Sequence, residues 1–203
     1  MSFPSYRLDD IRAAHIEEIP AIARLLSQAF YNDPVYQWLF PVKEIRLQKC
    51  QHLFTVFLEN LVPLGTVSVT PELEGAALWI PPAKGRDWLK GVKQNLAILW
   101  ILGGSILRGI RWWLTVESKH PNYPHWYLFL LGVKPEFQRR GVGSALLRPM
   151  LEKCDKEQIP VYLDTGNEKN IAFYERQGFR VMNRIDLVRG LSIIQMVRVP
   201  GTK

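Results

Sequence analysis

A chain of 203 residues with 47% apolar and 22% charged positions has enough apolar side chain to bury a core, which excludes an intrinsically disordered protein. The formal charge of +7 admits an anionic ligand, a membrane surface or nucleic acid and does not choose among them. The only two cysteines, Cys50 and Cys154, lack the spacing of a metal site, so no metal is expected and a reduced, disulfide-free cytoplasmic protein is the simplest account.

The length fits one domain over residues 1–203, and the opening MSFPSYRLDDIRAA has no apolar signal core. Residues 11–14 read as a short first strand. Pro20 then opens a helix whose apolar positions Ile19, Ile22, Ala23, Leu26 and Phe30 form one stripe. Asn32-Asp33-Pro34 ends it. A second helical region covers residues 44–61, strands follow at 65–69 and 76–80, and Pro81-Pro82 closes their hairpin.

Between residues 87 and 119, Leu89, Val92, Leu96 and Leu99 fall at helical spacing. Gly103-Gly104 interrupts them, and Ile106, Ile110 and Trp113 resume the pattern. The expectation is a helical insert at about 87–119 that folds as a hairpin over a cleft. Arg108, Arg111 and the paired glycines argue against a membrane span through 96–114, while a peripheral membrane contact stays open. Lys84, Arg86, Lys90 and Lys93 form a loose basic cluster, read as a solvated face rather than a nucleic-acid contact.

From Trp126 the run WYLFLLGV reads as a strand covered on both faces. A Gly-rich turn follows, then a helix with Leu147, Met150, Leu151 and Cys154 on one side. Pro149 within it is expected to bend the helix, because its ring clashes with the carbonyl of Ala145. A strand at 161–164, a short helix at 169–177 and strands at 179–187 and 192–199 complete the chain. Strands alternating with helices imply an α/β class with a mixed sheet, parallel in its second half and flanked by helices.

The segment most informative about chemistry is Gly132-Val-Lys-Pro-Glu-Phe-Gln138-Arg139-Arg140-Gly141-Val142-Gly143-Ser144-Ala145, running from the end of a strand into a helix. Gly141 and Gly143 let main-chain N–H groups turn inward with no side chain in the way. The helix N-terminus adds partial positive charge, so a diphosphate placed there meets donors and a favourable field. Leu146 stands where a dinucleotide-binding fingerprint has its third glycine, which counts against a nicotinamide enzyme.

This Gln/Arg-x-x-Gly-x-Gly/Ala pattern resembles the GNAT superfamily of acyl-CoA-dependent acetyltransferases. A second signature, Asn167-Glu-Lys-Asn170-Ile-Ala-Phe-Tyr174-Glu-Arg-Gln-Gly178-Phe179, follows in the family's order. Asp33-Pro34 with Trp38-Leu39-Phe40, and His120-Pro121 with Pro124-His125-Trp126, are similar to the branch that includes puromycin N-acetyltransferase. The resemblance implies a GNAT-like fold with a splayed central sheet, and acetyl-CoA as co-substrate. In such a fold the 138–145 loop holds the CoA diphosphate, and the main chain of Leu131 and Val133 meets the pantetheine arm and the thioester carbonyl. Tyr174 is then the general acid that protonates the departing thiolate, and Asn167 and Asn170 contact the cofactor. Asn167 also reads as a plain helix cap.

The expected reaction is direct transfer to the amine of a small molecule in a ternary complex, by a monomer or homodimer, with no nucleic acid involved. The general base stays open among His125, His120, Asp33 and Glu117, since residues 126–133 contain no carboxylate. His125 is taken as the leading candidate for its ordinary pKa of about 6.5. Asp33, Trp38 and Trp113, with Trp88 and Trp112, are candidate walls of the acceptor pocket. Two other classes remain: an acyl-CoA-binding sensor without turnover, and a basic RNA- or membrane-surface-binding protein.

Overall fold

The computed structural model describes residues 10–82 and 92–201. Lys84, Arg86, Trp88 and Lys90, together with the start of the helical insert, lie outside the described residues. The strands form one seven-stranded sheet in the order β1-β2-β3-β4-β5-β7-β6, with every neighbouring pair antiparallel except β4 and β5.

β1 (Arg12–Ala13) is followed by α1 (Ile19–Ala29), where Pro20 sits in the first turn and Ile19, Ile22, Ala23, Leu25 and Leu26 are buried. α3 (Lys43–Leu61) packs beside it, and Phe54 and Leu58 close over Leu78 and Ile80 of β3 (Gly75–Ile80). On the opposite face α6 (Val142–Glu157) lays Leu146, Leu147, Leu151 and Cys154 against Ala77 and Trp79. Both faces of β3 are therefore covered, which is why all six of its residues are apolar or Gly and buried. α6 continues through Pro149 as one helix.

Between α1 and α3 the chain makes a helix that periodicity did not reveal, α2 (Pro34–Leu39). Asn32-Asp33-Pro34 ends α1 as expected and also starts the next element: Asp33 Oδ1 accepts the Val35 N–H at 2.9 Å, and Pro34 occupies the first helical position. Arg46, buried on α3, fixes this corner. Its Nε donates to Phe40 O at 2.7 Å, Nη2 to Pro41 O at 3.1 Å and Nη1 to Tyr31 O at 3.4 Å. Arg46→Met keeps most of the volume and deletes these charge-assisted bonds, so a stability loss of about 2–3 kcal/mol is expected by denaturant titration. A loss too small to measure would show that the corner holds without its clamp.

β2 (Val67–Val69) starts two residues later than the sequence suggests, because Gly65, at φ 66°, ends a short 3-10 turn first. The insert forms α4 (Val92–Leu102) and α5 (Ile106–Glu117), separated by a 3-10 turn at Gly103–Ser105. Lys49 Nζ donates to the last carbonyls of α4, at 2.5 Å from Ile101 O and 3.4 Å from Leu102 O. Ile101 and Leu102 enter the core over α3, while Trp112 and Val116 join Val35, Leu187, Leu191 and Ile193. Leu96, Leu99 and Trp100, and Leu107, Ile110 and Leu114, form outward stripes; Trp100 is 79% exposed and Leu107 81%. Among the described residues no helix is long and apolar enough to cross a membrane.

β4 (Trp126–Val133) and β5 (Val161–Thr165) set the functional geometry. β4 pairs with β3 through Leu78↔Leu130 and then Trp79↔Leu128, leaving Phe129 as the extra residue of a bulge. Trp126 and Leu128 face α6 before the bulge; Leu130 faces α1 and α3 after it. The parallel ladder of β4 and β5 holds at Trp126↔Val161, Tyr127↔Tyr162 and Leu128↔Leu163 and goes no further. β5 continues against β7 (Leu191–Arg198) as far as Thr165↔Ile194. The sheet therefore opens between β4 and β5, at the bulge. α7 (Ile171–Glu175) and β6 (Arg180–Val188) complete the described fold.

Candidate active site

β4 ends at Val133 beside the opening, and the Gly-rich segment begins there. Gln138 Nε2 donates to Val133 O at 3.1 Å, folding the loop back on the strand end. Arg139 has φ 60° and Gly141 φ 83°, so the chain reverses into α6 through left-handed backbone. Gly141 is the residue before α6, and Ala145 N donates to its carbonyl at 3.0 Å. The N–H groups of the first turn lack intrahelical acceptors, as at any helix start, which makes this end fit for an anion.

The two glycines have different tasks. Open space surrounds the position of a Cβ on Gly141, so its requirement is conformational. A Cβ on Gly143 would come within 3.2 Å of Phe173, so Gly143 lets the segment that carries Tyr174 pack closely on α6. Ser144 Oγ accepts from Gln177 Nε2 at 3.1 Å across the same contact. Val142 and Ala145 are buried, whereas Arg139 and Arg140 are exposed, with the Arg140 guanidinium 5.6 Å from the Phe137 ring centre.

Where the strands part, a cleft of about 80 Å³ is lined by Phe30, Asp33, Tyr36, Trp112, Phe129, Leu131, Asp164, Thr165, Asn170 and Tyr174. Tyr174 is buried, with its ring 5.1 Å from Phe173 and 5.8 Å from Phe179. Burial, and then the charge of Asp33, push its phenol above the ordinary range, so it stays a proton donor at any working pH. Enclosure raises Asp33 to about 6 against the pull of the Val35 and Tyr36 N–H groups.

The cleft brings together Asp33, Leu131, Asn170 and Tyr174 from the residues singled out in the sequence. It does not bring in His125. That imidazole lines a neighbouring cavity of about 280 Å³ with His120, Pro121 and Pro124, and Tyr127 borders both spaces. His125 Nδ1 lies 2.7 Å from Tyr123 O and its Nε2 3.2 Å from His120 Nε2; burial pushes its pKa below the ordinary value. Trp112 rather than Trp113 faces the cleft, and Trp38 packs against the core beside Val35. The Asn167 side chain caps the 3-10 turn before α7, accepting the Lys169 N–H at 3.2 Å, and Asn167 is outside the cleft lining.

One prominent residue was missed. Asp164 lies one position past the last β4–β5 pair, its oxygens held by two phenols: Tyr127 O–H to Oδ2 at 2.9 Å and Tyr162 O–H to Oδ1 at 2.7 Å. A sequence signal existed, since Asp164 is the one charge in the apolar strand VYLDT. Residues 126–133, across the gap, contain no carboxylate, so the acid at the opening comes from β5. Among the described residues no group of three or more His, Cys, Asp or Glu is placed to hold a metal ion.

The glycine-initiated start of α6 thus stands where the mixed sheet parts at its single parallel pair. The model of the acetyltransferase (GNAT) family matches residues 19–179, and the chain belongs to that family. It is an acetyltransferase, and the family implies acetyl-CoA as its acyl donor. An uncharacterized N-acetyltransferase of Schizosaccharomyces pombe is 27% identical over 201 residues, covering 89% of this chain and 79% of the relative. The Corynebacterium glutamicum crystal structure described as histone acetyltransferase HPA2 and related acetyltransferase has a TM-score of 0.70 at 23% identity, over 95% of this chain and 97% of that one. PaiA N-acetyltransferase of Thermoplasma acidophilum, solved in complex with coenzyme A, shares the fold at a TM-score of 0.56 and 15% identity, over 93% and 97% of the two chains.

Proposed function

We propose that this protein transfers the acetyl group of acetyl-CoA directly to the amine of a small molecule, with Tyr174 as general acid. The observation that carries the reading is the coincidence of the β4–β5 opening with a buried phenol at its wall. Past Leu128 the side of β4 that faces β5 has no sheet partner, so an extended pantetheine arm fits there as a substitute strand. The diphosphate then falls at residues 138–145, on the main chain at the start of α6. The main chain of Leu131 and Val133 lies along the arm, and Asn170 lines the same cleft.

Direct transfer is supported by both thiols. Cys50 and Cys154 are buried, and burial pushes each up to about 12, so neither offers a thiolate at neutral pH. Proximity of a bound amine to the thioester then supplies much of the rate. Aromatic walls with Asp33 and Asp164 between them suit a compact cationic amine. The motifs around Asp33, Trp38 and His120-Pro121 support placement in the puromycin N-acetyltransferase-like branch, and residues 1–203 are read as one catalytic domain.

The test is thiol release from acetyl-CoA across a panel of alkylamines, arylalkylamines and amino acids, with initial velocities measured at several concentrations of both substrates. Thiol release that depends on a small amine, with intersecting double-reciprocal lines, is expected. Parallel lines would indicate an acetyl-enzyme, and tight acetyl-CoA binding without turnover on any amine would leave a sensor.

A further inference from the structure

Direct transfer to an amine also requires a base. An alkylamine arrives as an ammonium ion and must lose a proton before its nitrogen can attack. Two carboxylates border the cleft, and they are held differently. Asp33 is engaged as the cap of α2 through Oδ1. Asp164 stands where β5 leaves β4, with each oxygen accepting one phenol proton. A carboxylate oxygen has two acceptor directions, so each keeps capacity for a further donor.

We propose that Asp164 is the general base of the transfer, with Tyr127 and Tyr162 as the residues that position its carboxylate. This rests on the reading that the acceptor amine enters the cleft and meets acetyl-CoA between β4 and β5. Tyr127 reaches Asp164 from the opposite strand of the opening, so the geometry of the base is tied to the geometry of the gap. The other groups acting on this carboxyl are Gln195 of β7, which faces it across the β5–β7 pair, and Glu117 at the end of α5. Tyr36 of α2 acts on Tyr127, and the His120 ring meets Tyr127 and Tyr162 edge-on, with ring centres 5.3 Å and 4.7 Å apart. Burial raises Asp164 to about 7, with the Tyr162 and Tyr127 hydroxyls pulling the other way, which suits a base working near neutrality.

The Asp164 carboxylate takes one proton from the substrate ammonium, leaving a neutral amine. The nitrogen lone pair forms a C–N bond to the thioester carbon, and the C–S bond breaks with its electron pair leaving on sulfur. Tyr174 gives its phenol proton to that sulfur, and the surplus proton on the new amide nitrogen returns to the Tyr174 oxygen. Asp164 releases its proton to solvent after the products leave. One ammonium and one thioester thus yield one amide, one thiol and one solvent proton.

The experiment is the pH profile of kcat/KM for the wild type, Asp164→Asn, Tyr127→Phe and Tyr162→Phe, with acetyl-CoA affinity measured on each. In the wild type, activity requires ionised Asp164, so the rate rises with pH through about 7 and then levels. Asp164→Asn is expected to lose about 100-fold or more and the acidic limb with it, at unchanged acetyl-CoA affinity. Each Tyr→Phe change removes a donor that favours the charged carboxylate, so its acidic limb moves to higher pH; loss of packing alone would not move it. Wild-type turnover and an intact limb in folded Asp164→Asn would overturn the proposal. If that variant fails to bind acetyl-CoA, the two phenylalanine variants decide, and unmoved limbs in both would overturn it. A wild-type protein that never releases thiol would instead sink the proposed function itself.

Discussion

Tyr174→Phe is expected to lower kcat by about 10²–10⁴-fold while leaving acetyl-CoA affinity essentially unchanged. The ring is fixed between Phe173 and Phe179, and phenylalanine fills the same space, so the change isolates the hydroxyl. In the proposed reaction that hydroxyl meets the departing sulfur, and acetyl-CoA in its ground state gains little from it. The loss therefore belongs to kcat and to kcat/KM together. Burial keeps the phenol protonated throughout the working range, so the variant keeps the wild-type acidic limb at reduced height. Single-turnover kinetics are the suitable measurement, because product release can limit the steady state. Wild-type single-turnover rates across the pH range would remove Tyr174 from the chemistry.

The second large effect is expected at Gly141. Its φ of 83° costs a glycine nothing and an L-residue about 1–3 kcal/mol. No neighbouring atom lies within 4 Å of the position a Cβ would take, so the penalty is backbone strain and not collision within the protein. Relaxing that strain turns the N–H groups at the start of α6 away from their common direction. Gly141→Val is expected to weaken acetyl-CoA binding by about 5- to 150-fold, the equivalent of that strain. Gly141→Ala falls between it and Gly141→Asn, because asparagine tolerates left-handed backbone. Equal affinity in all three, measured by calorimetry, would detach the loop from the diphosphate.

What could be read from the sequence follows the range of the interaction that decides it. α1 announced itself through Pro20 and one apolar stripe, and the loop through Gly141, because both depend on neighbours within a turn or two. α2 did not, since six residues are too few to show a period. The bulge at Phe129 depends on how β3 pairs with β4, which no pattern inside WYLFLLGV records. The choice between Trp112 and Trp113 turns on the phase of α5, reset by the 3-10 turn at Gly103–Ser105. Asp164 meets Tyr127 from 37 positions away, a juxtaposition set by the parallel pair alone. His125 has a suitable ordinary pKa, yet the turn before β4 carries it into the adjoining cavity.

The most direct test is a crystal structure of the protein with coenzyme A. The account predicts the diphosphate on the main chain of residues 138–145, the pantetheine running between β4 and β5 beyond Leu128, and the sulfur beside the Tyr174 hydroxyl. Coenzyme A bound on another face, with β4 and β5 left empty between them, would contradict it.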